Sequence, residues 1–245
     1  MQKKIDVVIL SLNRWIKTYG CILSLEKWNK SLFNIILFDN GSNKETKKAL
    51  RKLKKKVDDL RIIFNKENIG VGQGRRMGAM EGQAEYIIFL DNDMIVEKGF
   101  VKELLHTIER TGSAAVGGKV ILKGKVQLCG RSIINRRIIY SNDFLAISNR
   151  MAEQFRYCDL IHGGATIYRR SAYEQVRFDE NYFIGFEDLD MMMQFRKKGL
   201  KLAYCPDAVA YHYPDFGGEY GATRRNEQMI ENSKQYFEKK WGVKT

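Results

Sequence analysis

The chain has 245 residues, 44% of them hydrophobic and only two of them proline, a composition that fits a packed globular protein and excludes a disordered one. No apolar run approaches the ~20 residues needed to cross a bilayer, and four scattered cysteines without a CxxC pair read as reduced, partly buried thiols, not as a zinc site or disulfide framework. The net charge of +13 favours polyanionic partners: nucleic acid, an anionic membrane face or phosphate-bearing ligands.

In chain order, residues 5–11 (IDVVILS) read as a strand and 15–30 as a helix carrying Trp15, Ile16, Ile22, Leu23 and Leu25. A second strand at 34–39 (NIILFD) precedes a basic helix at 44–58, in which Leu50, Leu53, Val57 and Leu60 recur at helical spacing and seven of the ten residues from Lys47 to Lys56 are basic. That run reads first as an amphipathic helix with a solvated basic face; contact with anionic lipid is the sharper alternative. A third strand at 61–64 leads through a glycine-rich turn into helix 72–84, then a fourth strand at 86–91 (YIIFLD) and a helix at 98–110. Near-continuous Val/Ile/Leu runs separated by helices predict a parallel sheet covered on both faces, hence an α/β fold. Beyond residue 113 this rhythm breaks. Residues 114–140 read as short strands or a hairpin around Lys123-Gly124-Lys125, and 141–158 as an irregular polar stretch. Residues 165–169 read as a strand, 171–176 as a short helix and 187–198 as a helix ending at Gly199. Strands at 201–205 and 208–212 and a terminal helix at 224–240 complete the chain, with no linker that would separate it into independent domains. The N-terminal Met-Gln-Lys-Lys-Ile-Asp lacks a signal-like apolar core, so the expected location is cytoplasmic, with peripheral contact at the inner face of the membrane as an addition.

Ligands of open sheets sit beyond the carboxyl ends of the strands, and here those ends carry Ser11-Leu12-Asn13-Arg14, Asp39-Asn40-Gly41-Ser42 and Asp91-Asn92-Asp93. Two carboxylates one residue apart at a strand end suit a hard divalent cation whose shell a nucleoside diphosphate completes. A second acidic cluster, Glu187-Asp188-Leu189-Asp190, opens a helix. Ordinary capping of the helix dipole accounts for it, while the preceding Gly185-Phe186 suggests a tight approach at which a carboxylate deprotonates a hydroxyl. His212 becomes a further metal ligand if its strand end lies near Asp93. The run from Asn68 to Gly78, with Gly70, Gly72, Gly74 and the pair Arg75-Arg76, follows the third strand and not the first, so it is no dinucleotide fingerprint. Glycines and arginines ahead of a helix do suit close approach to a nucleotide and neutralisation of its phosphates.

Together SLNR (11–14), DNGS (39–42), NIGVGQGRRMG (68–78), LDND (90–93), the stretch 163–199, His212 and YFEKKWG (236–242) make the chain resemble glycosyltransferase family 2, the inverting GT-A group. The resemblance covers nearly the whole chain. It implies one GT-A domain over 1–245, with a nucleotide-sugar-binding half (1–112) and an acceptor-binding, catalytic half (113–245). It also implies a metal-assisted single displacement with inversion, moving a sugar from a nucleotide-diphosphate donor (UDP first, GDP or dTDP as alternatives) to a hydroxyl of a glycan, glycolipid or other acceptor. Polysaccharide biosynthesis is the commonest setting, and no nucleic acid is expected. By the same resemblance Asp39 holds the base. Ser11, Leu12 and Asn13 line the base and ribose pocket, and Asn68, Gly70, Arg75, Asp91 and Asn92 contact the donor. Asp93 binds Mn²⁺ or Mg²⁺ with His212, and Asp91 contacts the ribose or the metal's shell. Asp188 is the general base, Glu187 positions the sugar or acceptor, and Gly163-Gly164 border both. Arg76 stands where the family usually has Asn, and Leu12 where a tyrosine is common, so the departures fall on donor binding. Two rivals stand beside this reading: a sugar-phosphate nucleotidyltransferase, which would carry a glycine- and arginine-rich phosphate loop after the first strand, and a non-catalytic basic binding protein, which explains the charge but not the acids at the strand ends.

Overall fold

In a computed structural model the chain is described over residues 3–27, 30–139, 143–146, 149–214 and 226–245. The first half builds β1 (Ile5–Ser11), α1 (Trp15–Glu26), β2 (Phe33–Asp39), α2 (Lys44–Lys54), β3 (Leu60–Phe64), α3 (Val71–Met80), β4 (Tyr86–Asp91), β5 (Met94–Val96) and α4 (Phe100–Thr111). The second half adds β6 (Ala115–Leu122), β7 (Lys125–Leu128), β8 (Ser132–Ile134), β9 (Arg137–Ile139), β10 (Asp143–Ala146), α5 (Arg150–Glu153), β11 (Arg156–Cys158), β12 (Ala165–Arg169), α6 (Arg170–Tyr173), α7 (Glu187–Lys197), β13 (Leu202–His212) and α8 (Glu227–Trp241). The expected helices over 15–30 and 224–240 and the irregular stretch at 141–158 run partly onto residues outside the described ones. The sequence-based boundaries otherwise hold to within a few residues, with three exceptions. Within the stretch expected to be irregular the described residues form β10, α5 and β11. The three residues of β5 carry too little pattern to be read as a strand. The two short strands expected at 201–205 and 208–212 are one strand, β13, whose register slips between Cys205 and Val209.

The main sheet orders its strands β10-β7-β6-β12-β4-β1-β2-β3, with β13 pairing β6, β5 and β11. β3, β2, β1 and β4 are parallel, because each is joined to the next by a helix that must return over a face of the sheet. β12 then enters antiparallel between β4 and β6, so strands of both halves of the chain share one continuous sheet. A separate hairpin pairs β8 with β9.

Strands this apolar are covered on both faces. Ile5, Val7 and Ile9 of β1 point into a core formed with α1, α2 and α4. Val8, one residue out of phase, joins the opposite core with α3, α6, α7 and α8. The helix ends follow their residues. Asn43 caps α2 by accepting from the Thr46 amide at 2.8 Å, and Gly112 and Gly242 close α4 and α8 in the left-handed conformation. α3 lies close on the sheet because it presents glycine: a Cβ at Gly74 would meet a Leu10 methyl at 2.5 Å, and one at Gly78 would meet Val8 at 2.5 Å. The chain steps outward from β1 to β2 to β3 with α1 and α2 on one face, then crosses back on the other face through α3 to β4. The order therefore reverses between β1 and β4, where an open α/β sheet forms its ligand crevice.

Candidate active site

The crevice beyond β1 and β4 is lined by Leu12, Asn68, Gly70, Arg75, Asp91 and Asn92, together with Phe183 and Ile184 from the loop before α7. Arg75 is its hinge. The guanidinium is buried, donates to Asp91 Oδ1 at 2.6 Å and stands 3.6 Å from Glu187 Oε1. Burial works against its charge, but Asp91, Glu187 and Asp188 outweigh it, and its pKa is raised above the ordinary value. One arginine from the glycine-rich run thus joins the acid at the end of β4 to those that open α7.

The Gly163-Gly164 turn packs between these acids. The Gly163 amide donates to Asp188 Oδ2 at 3.3 Å, and the Asp91 amide donates to the Gly164 carbonyl at 2.8 Å. A Cβ on Gly163 would meet the Asp188 Cβ at 2.6 Å, and one on Gly164 would meet Asp91 Oδ2 at 2.0 Å. Only glycine lets the turn come this near. At the start of α7 the backbone turns through Gly185 (φ 77°) and Phe186 (φ 67°). A left-handed phenylalanine is uncommon and costs strain; its ring packs on Phe237 of α8, 5.5 Å between centroids. Glu187 is buried, whereas Asp188 is half-buried, with Oδ1 accepting from the Leu189 amide at 2.8 Å.

Asp93 and His212 meet on the other flank. β13 pairs antiparallel with β5, so that His212 is opposite Met94, and its Nε2 lies 3.3 Å from Asp93 Oδ1. His212 Nδ1 faces Gln127 Oε1 at 2.9 Å; a proton on Nδ1 donated to that oxygen leaves the Nε2 lone pair on the Asp93 side. Arg14 stands 3.8 Å from the other Asp93 oxygen. Among the described residues no three His, Cys, Asp or Glu side chains gather into a metal cluster. The pair Asp93 and His212 nonetheless suits a hard or borderline divalent cation that takes its remaining oxygens from a diphosphate and water. The Asp91 carboxylate, expected to contact the ribose or the metal's shell, accepts from Arg75.

The nucleotide side is set by β1 and β2. Asp39 is fully buried, and among the described residues neither carboxylate oxygen has a hydrogen-bond partner. Burial pushes its carboxyl up, while Ser42 and Lys47 pull it back. Asn40 and Asn68 form a latch: Asn40 Nδ2 donates to Asn68 Oδ1 at 2.9 Å and to the Gly70 carbonyl at 3.0 Å. Gly70 (φ 83°) then brings the run against Phe183, whose carbonyl accepts from the Val71 amide at 3.0 Å. Asn13 and Arg14 are consecutive left-handed residues. The Asn13 side chain accepts from the Asn43 amide at 2.9 Å, and its own amide donates to Ser42 Oγ at 2.6 Å, tying the end of β1 to the start of α2. Ser11, expected to line the pocket, is fully buried, with its hydroxyl 3.0 Å from Thr18 Oγ1. Asn92 donates to the same Thr18 oxygen at 2.9 Å. Ser11 therefore shapes the pocket from behind by fixing α1, and Asn92 both lines the crevice and braces it.

Sequence reasoning missed His162, Gln127 and Phe183. His162 is half-buried beside these groups and accepts at Nδ1 from the Gly164 amide at 2.9 Å. Burial lowers its pKa, and Asp91 and Asp188 pull it back. A polar residue directly ahead of a glycine pair was a signal for it. For Gln127 no local pattern exists.

The model of glycosyl transferase family 2 matches residues 6–177. Among curated proteins, the glycosyltransferase YfnE of Bacillus subtilis is 22% identical over 85% of this chain and 64% of its own length. A β-1,3-glucosyltransferase of Campylobacter jejuni acting on GalNAc(5)-diNAcBac-PP-undecaprenol is 23% identical over 74% of this chain and 56% of its own. Among solved structures, GalNAc-T7 with UDP, GalNAc and Mn²⁺ superposes with a TM-score of 0.72 at 18% identity, covering 99% of this chain and 55% of that one. The fold is thus GT-A, and the chain spans less than two thirds of each of these relatives. With the family model matched from β1 to the segment just after α6, the chain belongs to glycosyl transferase family 2.

Proposed function

We propose that the chain transfers a sugar from a nucleoside-diphosphate donor, UDP first and GDP or dTDP as alternatives, to a hydroxyl of a glycan or glycolipid, with inversion at the anomeric carbon. Family membership favours transfer over the nucleotidyltransferase and the non-catalytic binder. The observation that carries the reading is the meeting of the Asp91 and Glu187–Asp188 carboxylates across Arg75, beside the Asp93–His212 pair. The first 112 residues bear the donor side and the remainder the acceptor side.

In this reading the buried oxygens of Asp39, without a hydrogen-bond partner among the described residues, accept from the base, and Arg75, held taut by Asp91, faces the donor. Asp93 and His212 would hold Mn²⁺ or Mg²⁺, which when bound would supply positive charge toward the departing diphosphate. Asp188 accepts the proton of the attacking hydroxyl while the new glycosidic bond forms and the bond to the diphosphate breaks; the proton ends on the Asp188 carboxylate. Glu187, with one oxygen toward Arg75, orients the sugar or acceptor. The Gly163 amide on Asp188 Oδ2 fixes that carboxylate in place. Positioned general-base catalysis is worth roughly 10²–10⁴-fold.

A thermal-shift screen of UDP-, GDP- and dTDP-sugars with Mn²⁺ tests the reading, followed by hydrolysis of the stabilising donor. One donor class raises the melting temperature only with the cation, and Asp93→Ala abolishes cation-dependent hydrolysis. No stabilisation by any donor, or equal hydrolysis by Asp93→Ala, would sink it.

A further inference from the structure

The basic run does not act as one block. Lys47 turns inward, donating to the Asn65 carbonyl at 3.0 Å and approaching Asp39 at 4.0 Å. Arg51 lies over the Phe64 ring, 4.8 Å from its centroid. Lys48, Lys52 and Lys56, spaced by four residues along one side of α2 and its C-terminal extension, remain exposed and line a groove of about 540 Å³ between α1 and α2.

The opposite wall of that groove is aromatic: Trp15 and Tyr19, both half-buried, with Glu45 the one acid in the lining. α1 already buries Cys21, Ile22 and Leu25 in the core. It nevertheless carries Ile16, 67% exposed, and Leu23, 41% exposed, which share a flank with Tyr19 at helical spacing. A second apolar face on a helix whose first is satisfied marks a docking surface. Three lysines facing aromatic and aliphatic side chains match an interface that is anionic at its surface and apolar just beneath. A nucleic acid would use the lysines and leave Ile16 and Leu23 in water; a bilayer surface takes both.

We propose that the α1–α2 groove is a docking face for anionic phospholipid, holding the chain on the membrane surface. The contact is peripheral, since no helix among the described residues is long and apolar enough to cross a bilayer. α1 and α2 both begin at the crevice, where Asn13 ties their starts together, so the groove runs from the rim for about 16 Å along α2 at 1.5 Å per residue. Docking there holds the crevice beside the membrane, within reach of a lipid-linked acceptor. That last link rests on the sugar-transfer reading; the lipid contact itself does not.

Flotation with vesicles of phosphatidylcholine alone or mixed with phosphatidylglycerol is the test. The chain floats with the mixed vesicles and not with the neutral ones. The combined variant Lys48→Glu, Lys52→Glu, Lys56→Glu binds the mixed vesicles on the order of 100-fold more weakly, and Ile16→Ser with Leu23→Ser binds about 10-fold more weakly. Both variants keep the melting temperature and the nucleotide-sugar turnover measured in free solution. The proposal is overturned if the unmodified chain ignores the mixed vesicles, or if the triple lysine variant floats as well as it does. It is equally overturned if the serine variant floats undiminished while single-stranded RNA displaces the chain from vesicles, which would make the groove a polyanion site. Lost turnover with intact flotation would count against the sugar-transfer reading alone.

Discussion

The two ends of the same central strands each hold buried acids around an arginine, yet the ends differ in how their charge is matched. At the amino end, Asp6 on β1 accepts from Arg170 Nη2 at 2.7 Å, Asn34 Nδ2 at 2.9 Å and the Ala84 amide at 2.8 Å. Arg170 also donates to the Ala84 and Ala79 carbonyls. One charge meets one charge and each is held by further hydrogen bonds, which is how a structural ion pair survives burial. At the carboxyl end, Asp91, Asp93, Glu187 and Asp188 face two guanidiniums, Arg75 and Arg14. Among the described residues the acids outnumber the guanidiniums at this end, in a chain whose net charge is +13. Under the proposed function such an acid-rich end suits a cation-bearing ligand.

That contrast gives substitutions at the two ends opposite signatures. Asp188→Asn at the acid-rich end should lower turnover by roughly 10²–10⁴-fold while donor affinity and melting temperature stay as they are; a change of donor affinity with unchanged turnover would remove Asp188 as the base. Asp6→Ala at the matched end should do the reverse. It leaves the Arg170 charge buried without its carboxylate and should cost about 3–5 kcal/mol of unfolding free energy, read by urea denaturation, with turnover per folded molecule unaltered. Stability within error of the unmodified chain would mean that Asp6 is not the brace described.

A smaller effect sharpens the acid-rich end. Gln127→Leu removes the acceptor at His212 Nδ1 and should weaken Mn²⁺ binding about 10- to 100-fold, read by titration calorimetry without substrate, whereas Gln127→Glu retains an acceptor and should lose less. Unchanged Mn²⁺ affinity in Gln127→Leu would show that the imidazole needs no such support. The smallest effect belongs to the anchoring of α8. Burial raises the Asp179 carboxyl, but hydrogen bonds from Lys240, the Asn181 amide and Tyr236 outweigh it and hold the pKa at about 2. A carboxylate depressed in the folded state stabilises above its unfolded pKa of about 3.9 and loses that contribution as pH falls toward 2. The stability gap between the unmodified chain and Asp179→Asn should therefore be full at pH 5 and shrink toward pH 2; a gap that grows on acidification would contradict it.

Much of the acid-rich end was legible because its residues lie in short local patterns at strand ends. Asp91-Asn92-Asp93 follows five buried residues of β4, and Glu187-Asp188 opens a helix after a glycine, so type and place are both readable without a fold. The balanced amino end was not, since Asp6 and Arg170 are 164 residues apart and look like ordinary surface charges until β12 enters beside β4. The same holds for Gln127 and His212, which meet only because β13 pairs with β6 and β6 turns back into β7. The glycine-rich run was read as cradling a nucleotide, and the structure adds a packing duty: Gly74 and Gly78 bring α3 onto β1, and Gly70 brings the turn onto Phe183. Close backbone approach and nucleotide approach leave the same mark in a sequence.

Hydrogen–deuterium exchange with Mn²⁺ and the donor chosen by the thermal-shift screen tests most directly whether the acid-rich end is the working end. Protection should appear at residues 11–14, 68–75, 91–93, 163–164 and 187–188, and the amides around Asp6 and Arg170 should exchange as they do without ligand. Donor binding that leaves the first set unprotected, or protects only the second, would contradict the assignment of the crevice between β1 and β4.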